Sequence, residues 1–207
     1  VDLGGKAIEA ALQRAGISGD QIDYVIMGQV LQAGAGQITA RQAALKGGVP
    51  KTTPAITINK VCLSGLNAIA LADQLIRAGE ISVAIAGGME SMEQAPYLLP
   101  KARTGYRMGD GKLIDSMIHD GLWDAFNHKH MGDQSDDVNK EFKISREDQD
   151  AWSARSHQRA EEATKAGRFK DEIVPVEVPQ RKGEPVFGDV ADVDLRGAEG
   201  AGGLALA

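Results

Sequence analysis

Among side chains able to form a covalent intermediate, the chain offers one cysteine, Cys62, and four histidines, His119, His128, His130 and His157. A lone thiol makes no intramolecular disulfide and no half of a Cys-x-x-Cys pair. Its setting, Ile56-Thr-Ile-Asn-Lys-Val-Cys62-Leu-Ser-Gly-Leu, lies between an alternating apolar run and a helical one. A thiol at the first turn of a helix meets the positive end of the macrodipole and amide N–H groups, and both favour the nucleophilic thiolate. The same corner also suits a small buried hydrophobe, a common fate of free cysteine. Residue type and placement alone leave both readings open.

Other spacings carry less. His128-Lys-His130 puts two imidazoles on one face of a strand, but no Cys or carboxylate cluster stands at ligand spacing, so a loop reading is preferred to a metal. Gly34-Ala-Gly36 resembles the start of a dinucleotide fingerprint, yet Thr39 occupies the third glycine position, which points to a turn. Arg181-Lys-Gly183 is a basic turn able to neutralise phosphate, or simply a solvated one. Met89 and Met92, around Glu90, read as core or interface filler.

The elements that must position Cys62 alternate between two periodicities. Helical spacing runs from Val1 to Ala15 and stops at Gly16; strand-like runs cover Ile22–Val30, Pro54–Ile58 and Ile81–Ala86. Between them fall helical stretches at Ala40–Leu45 and Ser64–Ala78, and the pair Gly87-Gly88 reads as the stop of the third strand. This βαβαβ order predicts an α/β fold with a mostly parallel sheet covered by helices. The apolar run Val83–Ala86 predicts burial on both faces. After Glu93 the pattern breaks at Pro96, Pro100, Gly105 and Gly109, then predicts helices over Leu113–Leu122 and Ser145–Ala166 and an edge strand over Glu172–Val178. Residues 1–92 form the predicted core, 93–185 a helical insertion, and 186–207 an Ala/Gly/Leu-rich tail.

Hydrophobic residues make up 43% of the 207 positions and charged ones 25%, an ordinary globular balance that excludes a wholly disordered chain. The net charge of −6 does not suit a nucleic-acid binder, which needs a basic face. Apolar stretches fall short of a bilayer span and no leader is evident, so no membrane association and a cytoplasmic location are expected.

Taken together, Asn59-Lys-Val-Cys62-Leu-Ser-Gly65 and Gly87-Gly-Met-Glu-Ser-Met92 closely resemble the thiolase family, in particular acetyl-CoA acetyltransferases. The resemblance continues through Asp120-Gly-Leu-Trp-Asp-Ala-Phe126, His130-Met-Gly132, Ile144-Ser-Arg-Glu-Asp-Gln-Asp150, Ser156-His-Gln158 and Gly167-Arg-Phe-Lys-Asp-Glu-Ile173. It implies a thiolase-like layered α/β/α core with a helical loop-domain insertion. Cys62 is then the nucleophile that is acylated by an acyl-CoA thioester, after which the carbanion of a second acyl-CoA attacks the acyl-enzyme. Leu122, His130, Met131 and Arg196 match positions that contact coenzyme A, and Glu90 matches a subunit contact. The resemblance implies coenzyme A thioesters as substrates, no metal or other cofactor, and a homodimer or homotetramer.

The family also uses a Gly-His-Pro histidine, a second cysteine as α-proton base and an Asn-Glu-Ala-Phe segment, none of which occurs in these 207 residues. It opens on a strand that would precede Val1 and sit centrally, so two neighbouring strands are expected to carry unpaired ladder groups. The chain is therefore expected to be a fragment. Two other readings remain: a thiol-dependent hydrolase pairing Cys62 with a histidine, and a non-catalytic acyl-CoA-binding module. Acetoacetyl-CoA thiolysis by the 207-residue chain is expected to be undetectable; robust turnover refutes the fragment reading.

Overall fold

The computed structural model describes residues 1–178 and the strand at 186–189. Helix α1, Asp2–Ala15, lays Ala7, Ile8 and Leu12 on its buried face and stops where Gly16 turns left-handed at φ 66°. Strand β1 (Tyr24–Gly28) follows, then α2 (Thr39–Lys46), β2 (Ala55–Ile58), α3 (Ser64–Arg77) and β3 (Ala84–Gly88). The three strands are parallel in the order β2-β1-β3, with Ile26 level with Ile56 on one side and Ala86 on the other. The chain steps from β1 to β2 and then back across to β3. Right-handed crossovers in opposite directions put α2 and α3 on opposite faces.

Alternation along β1 serves both layers. Val25 and Met27 pack with α1 and α2 around Ala40, Ala43 and Ala44, while Ile26 packs under α3 against Ala68 and Ala72. Val25 and Ile26 are 0% and 1% exposed. Burial of such side chains stabilises by about 1.5–3 kcal/mol each. Small residues let α1 approach α2 closely: a Cβ at Gly5 would lie 2.7 Å from Lys46 Cβ.

Three expectations from the sequence are corrected here. Gly87 and Gly88 do not close the third strand; they are its last two residues, level with Met27 and Gly28. Gly88 lies beside the start of α3, where an added Cβ would sit 3.4 Å from Gly65 Cα, in contact with it. The run before Gly87 is only half-buried, because Ala84, Ile85 and Ala86 belong to a strand that, among the described residues, is paired along one edge. And β1 is paired along both edges, so the sheet closes without the gap expected at its centre.

Beyond Glu93 the backbone forms short antiparallel pairs. Strand β4 (Tyr97–Leu98) pairs with β5 (Ile114–Asp115), and β6 (Trp123–Asp124) with β7 (Lys129–His130). The helix predicted from Leu113 is thus a strand followed by a π-helical turn, Met117–Leu122. Asp115 accepts the Met117 N–H at 2.9 Å and the buried Ser116 donates to the Pro96 carbonyl, which ties the segment into the hairpin instead. Helix α4 (Met131–Glu141) has no counterpart in the sequence reading; α5 (Arg146–Lys165) does, with Ser145 Oγ accepting the Asp148 N–H at 3.0 Å. No residue of α5 is buried, and pairs such as Arg146–Asp150, 2.8 Å apart, line its surface. Strand β8, Pro175–Val178, pairs antiparallel with β9, Val186–Asp189. Arg14 donates to the carbonyls of Glu172 and Ile173, fastening this return to α1.

Two outcomes follow from this packing. Asp23 accepts N–H groups of Ser82, at 2.7 Å, and Val83, at 3.0 Å, which hold its carboxyl below the ordinary 3.8. A depressed folded-state value means that its contribution is present above the unfolded value and is lost as pH falls through the folded one. Asp23→Asn is therefore expected to be less stable at neutral pH and to lose less stability than wild type between pH 5 and acid, as urea midpoints across that range will show. A Cβ at Gly28 would lie 2.5 Å from the Ser64 carbonyl carbon, a backbone atom. Gly28→Ala is expected to cost about 1–3 kcal/mol by overpacking, measurable by denaturant unfolding.

Candidate active site

The carboxyl ends of β1 and β3 and the start of α3 meet at three glycines. A Cβ at Gly28 would strike Ser64 and the Gly65 nitrogen, at 2.6 Å, so only bare backbone lets α3 begin directly above the strand ends. The turn between β2 and α3, Asn59 to Leu63, is thereby pressed to the rim of the sheet. Crevices outside the carboxyl ends of parallel strands are where α/β folds bind ligands.

Cys62 lies on that turn, exposed and two residues before the first residue of α3. The buried-hydrophobe reading is overturned, and the thiol stands one residue before the N-cap Leu63 rather than within the first turn of the helix as expected. Val61, immediately before it, has φ 50°, a left-handed conformation that a β-branched residue adopts at a cost of about 1–3 kcal/mol. Asn59 Oδ1 accepts the Val61 N–H at 2.9 Å, and Asn59 Nδ2 donates to the Val30 carbonyl at 3.4 Å. Below the turn, the buried Ser64 hydroxyl accepts the Lys60 N–H at 2.8 Å and donates to the Val61 carbonyl at 2.6 Å. Sequence reasoning singled out the sulfur but not this support. The signal was present as Asn59, Ser64 and Gly65 flanking Cys62, yet only coordinates show which backbone groups they reach.

A cavity of about 330 Å³ is lined in part by Cys62, and its lining is mostly apolar, including Leu31, Leu66, Met92 and Leu122. Leu122 ends the π-helical turn, a form often found at functional sites. The fold thus brings two of the predicted residues together, Cys62 and Leu122, from positions sixty apart in the chain. His130 and Met131 do not line this cavity. His130 pairs with Trp123 across the β6–β7 hairpin, one residue beyond Leu122, and its Nδ1 accepts the Gly132 N–H at 3.1 Å to cap α4. Met131 opens α4 and is half-exposed. The hairpin itself turns on Asp124: Asn127 Nδ2 donates to it at 2.7 Å and the Phe126 N–H at 2.8 Å, which hold its carboxyl below the usual range. Arg196 and the basic turn Arg181–Gly183 lie outside the described residues.

Glu90 follows β3 into the same cavity. Its Oε2 accepts the N–H groups of Val30, at 2.8 Å, and Leu31, at 3.2 Å, bracing the exit of β1 against the exit of β3. This internal brace was not read from the sequence. None of His119, His128, His130 and His157, all among the described residues, borders the Cys62 cavity. The hydrolase reading therefore lacks the Cys–His contact it requires.

The comparisons agree with the geometry. Residues 1–196 match the family model described as the thiolase N-terminal domain. An acetyl-CoA acetyltransferase of Cupriavidus necator is 56% identical over 185 residues, covering 89% of this chain and 47% of that protein. One from Allochromatium vinosum is 50% identical over 205 residues, covering 98% and 52%. A probable acetyl-CoA acetyltransferase of Escherichia coli is 49% identical over 205 residues, covering 99% and 52%. The chain spans about half the length of the curated relatives it matches. With its parallel sheet, its thiol on the turn entering α3 and a match across nearly its full length, the chain belongs to the thiolase family, through that family's N-terminal domain.

Proposed function

We propose that the chain supplies the acyl-accepting half of an acyl-CoA acyltransferase of the acetyl-CoA acetyltransferase kind, with Cys62 as nucleophile. The observation that carries this is the placement of an exposed thiol on a strained turn at the mouth of an apolar cavity shared with Leu122. The Cys62 sulfur attacks the thioester carbonyl carbon. A carbon–sulfur bond to the enzyme forms, the bond to coenzyme A breaks, and the coenzyme leaves as a thiol with the proton that Cys62 gave up. One thioester replaces another, so the step is close to level in free energy and the intermediate is neither a trap nor a barrier. In the second half-reaction the α-proton of another acyl-CoA passes to a base that is not among these 207 residues, and the resulting carbanion attacks that carbonyl carbon, breaking its bond to sulfur and restoring the Cys62 thiolate.

In this reading Leu122 packs on the pantetheine arm, and the apolar lining favours the arm over bulk water. His130, Met131 and Arg196 are proposed as further coenzyme A contacts, carried by the insertion at 93–185 and the segment after it. Coenzyme A thioesters serve as substrates without a resident cofactor. A homodimer or homotetramer in the cytoplasm is the proposed setting.

Incubation with acetyl-CoA followed by acid quench and peptide mass mapping tests the assignment. A stable acetyl group on the Cys62 peptide, lost in Cys62→Ala, is the expected result. An adduct that water discharges within the mixing time would favour a hydrolase instead, and binding of acetyl-CoA with no adduct would favour a non-catalytic module.

A further inference from the structure

The Cys62 turn contains a strained residue that contributes nothing to the core. Val61 is 45% exposed, so its side chain gains little from burial, yet its backbone is held at φ 50°. A conformation of that kind persists only when surrounding bonds over-determine it. Three of those bonds come from one residue. The Ser64 hydroxyl donates to the Val61 carbonyl at 2.6 Å and accepts the Lys60 N–H at 2.8 Å, and the Ser64 N–H donates to the same carbonyl at 3.0 Å. Asn59 Oδ1 holds the other end of Val61, through its N–H.

Ser64 is also the residue on which Gly28 is packed, so its place is fixed from below by β1. It is 4% exposed, and its hydroxyl donates once and accepts once within the turn, its only proton already committed to the Val61 carbonyl. The peptides on either side of Val61 are thereby clamped, and the direction in which the next residue carries its Cβ is set by them. That residue is Cys62.

We propose that Ser64 is a positioning residue for the nucleophile: its hydroxyl holds Val61 left-handed, and that conformation points the Cys62 sulfur at the cavity. The inference rests on Cys62 being the group that takes the acyl chain. Without the hydroxyl, the Lys60 N–H loses its bond and the Val61 carbonyl keeps only the Ser64 N–H, so Val61 relaxes toward the ordinary φ range. Glycine adopts positive φ nearly as readily as negative. A glycine at 61 would therefore hold the turn with little help, which gives the proposal a signature that simple loss of packing would not share.

Rates of Cys62 acetylation by acetyl-CoA would be measured for wild type, Ser64→Ala, Val61→Gly and the double variant. In Ser64→Ala the rate is expected to fall by about tenfold or more, the size of one lost positioning interaction, with the half-saturating acetyl-CoA concentration little changed. The double variant is expected to return to the rate of Val61→Gly alone. A wild-type rate in Ser64→Ala overturns the proposal, as does a double variant no faster than Ser64→Ala. Should Ser64→Ala fail to fold, the pair Val61→Gly and Val61→Gly/Ser64→Ala decides, because a tenfold gap between them also overturns it. If wild type takes no acetyl group, the nucleophile assignment falls. The clamp is then judged by hydrogen exchange at the Leu63 and Ser64 amides, which must quicken in Ser64→Ala and recover in the double variant; unchanged exchange would sink it.

Discussion

Backbone-to-backbone contact between the end of β1 and the start of α3 governs how this domain can work. Gly28 leaves no room for a methyl group beneath Ser64, and Gly65 of α3 faces Gly87 and Gly88 at the end of β3. A helix begun a few ångströms higher would lift the turn before it off the sheet and widen the crevice at the strand ends. With the contact made, the turn from Asn59 to Leu63 has to be short and sharp, and the strain this imposes falls on Val61. The strain is then balanced by side chains whose own positions are fixed: Ser64 by the sheet below it, Asn59 by the Val30 carbonyl at the exit of β1.

The same arrangement explains why polar groups gather at this rim although the lining beside them is apolar. Glu90 satisfies two amides at the exit of β1, and Gln29, Thr39 and Thr57 form a buried hydroxyl–amide cluster under the start of α2. Strand ends and helix starts leave backbone donors without ladder partners, and buried donors must be satisfied. In such surroundings the Cys62 turn is held by bonds that do not involve its sulfur. Leu122, arriving from the π-helical turn, joins the lining of the cavity.

The region after Glu93 follows other rules. Helix α5 buries none of its residues and keeps its form through its Ser145 cap, ion pairs at one-turn spacing and the stacking of Arg155 on Trp152, 4.3 Å from the ring centre. Each such surface pair contributes only about 0.3–0.5 kcal/mol, too little to set a tertiary position. What anchors the segment is its return, where Arg14 holds the carbonyls of Glu172 and Ile173 and Val174 and Val176 join the core beside α1.

Local pattern alone determined a large share of this. Periodicity placed α1, α2, α3 and α5 and the three parallel strands to within a few residues, because amphipathic spacing and capping residues such as Ser145 act over one or two turns of chain. It also marked Cys62 as a thiol entering a helix. It misread Gly87 and Gly88 as a strand stop and Leu113–Leu122 as a helix, since a glycine inside a strand is locally identical to one that ends it, and Ser116 acts through the Pro96 carbonyl, a partner the local pattern does not reveal. Tertiary structure alone decided that Leu122 and Cys62 line one cavity, that Glu90 braces two strand exits, that none of the four histidines lines that cavity, and that Val61 carries the strain. Each of these depends on which distant backbone groups come within bonding distance, and that is set by how helices pack across the sheet rather than by any neighbour in sequence.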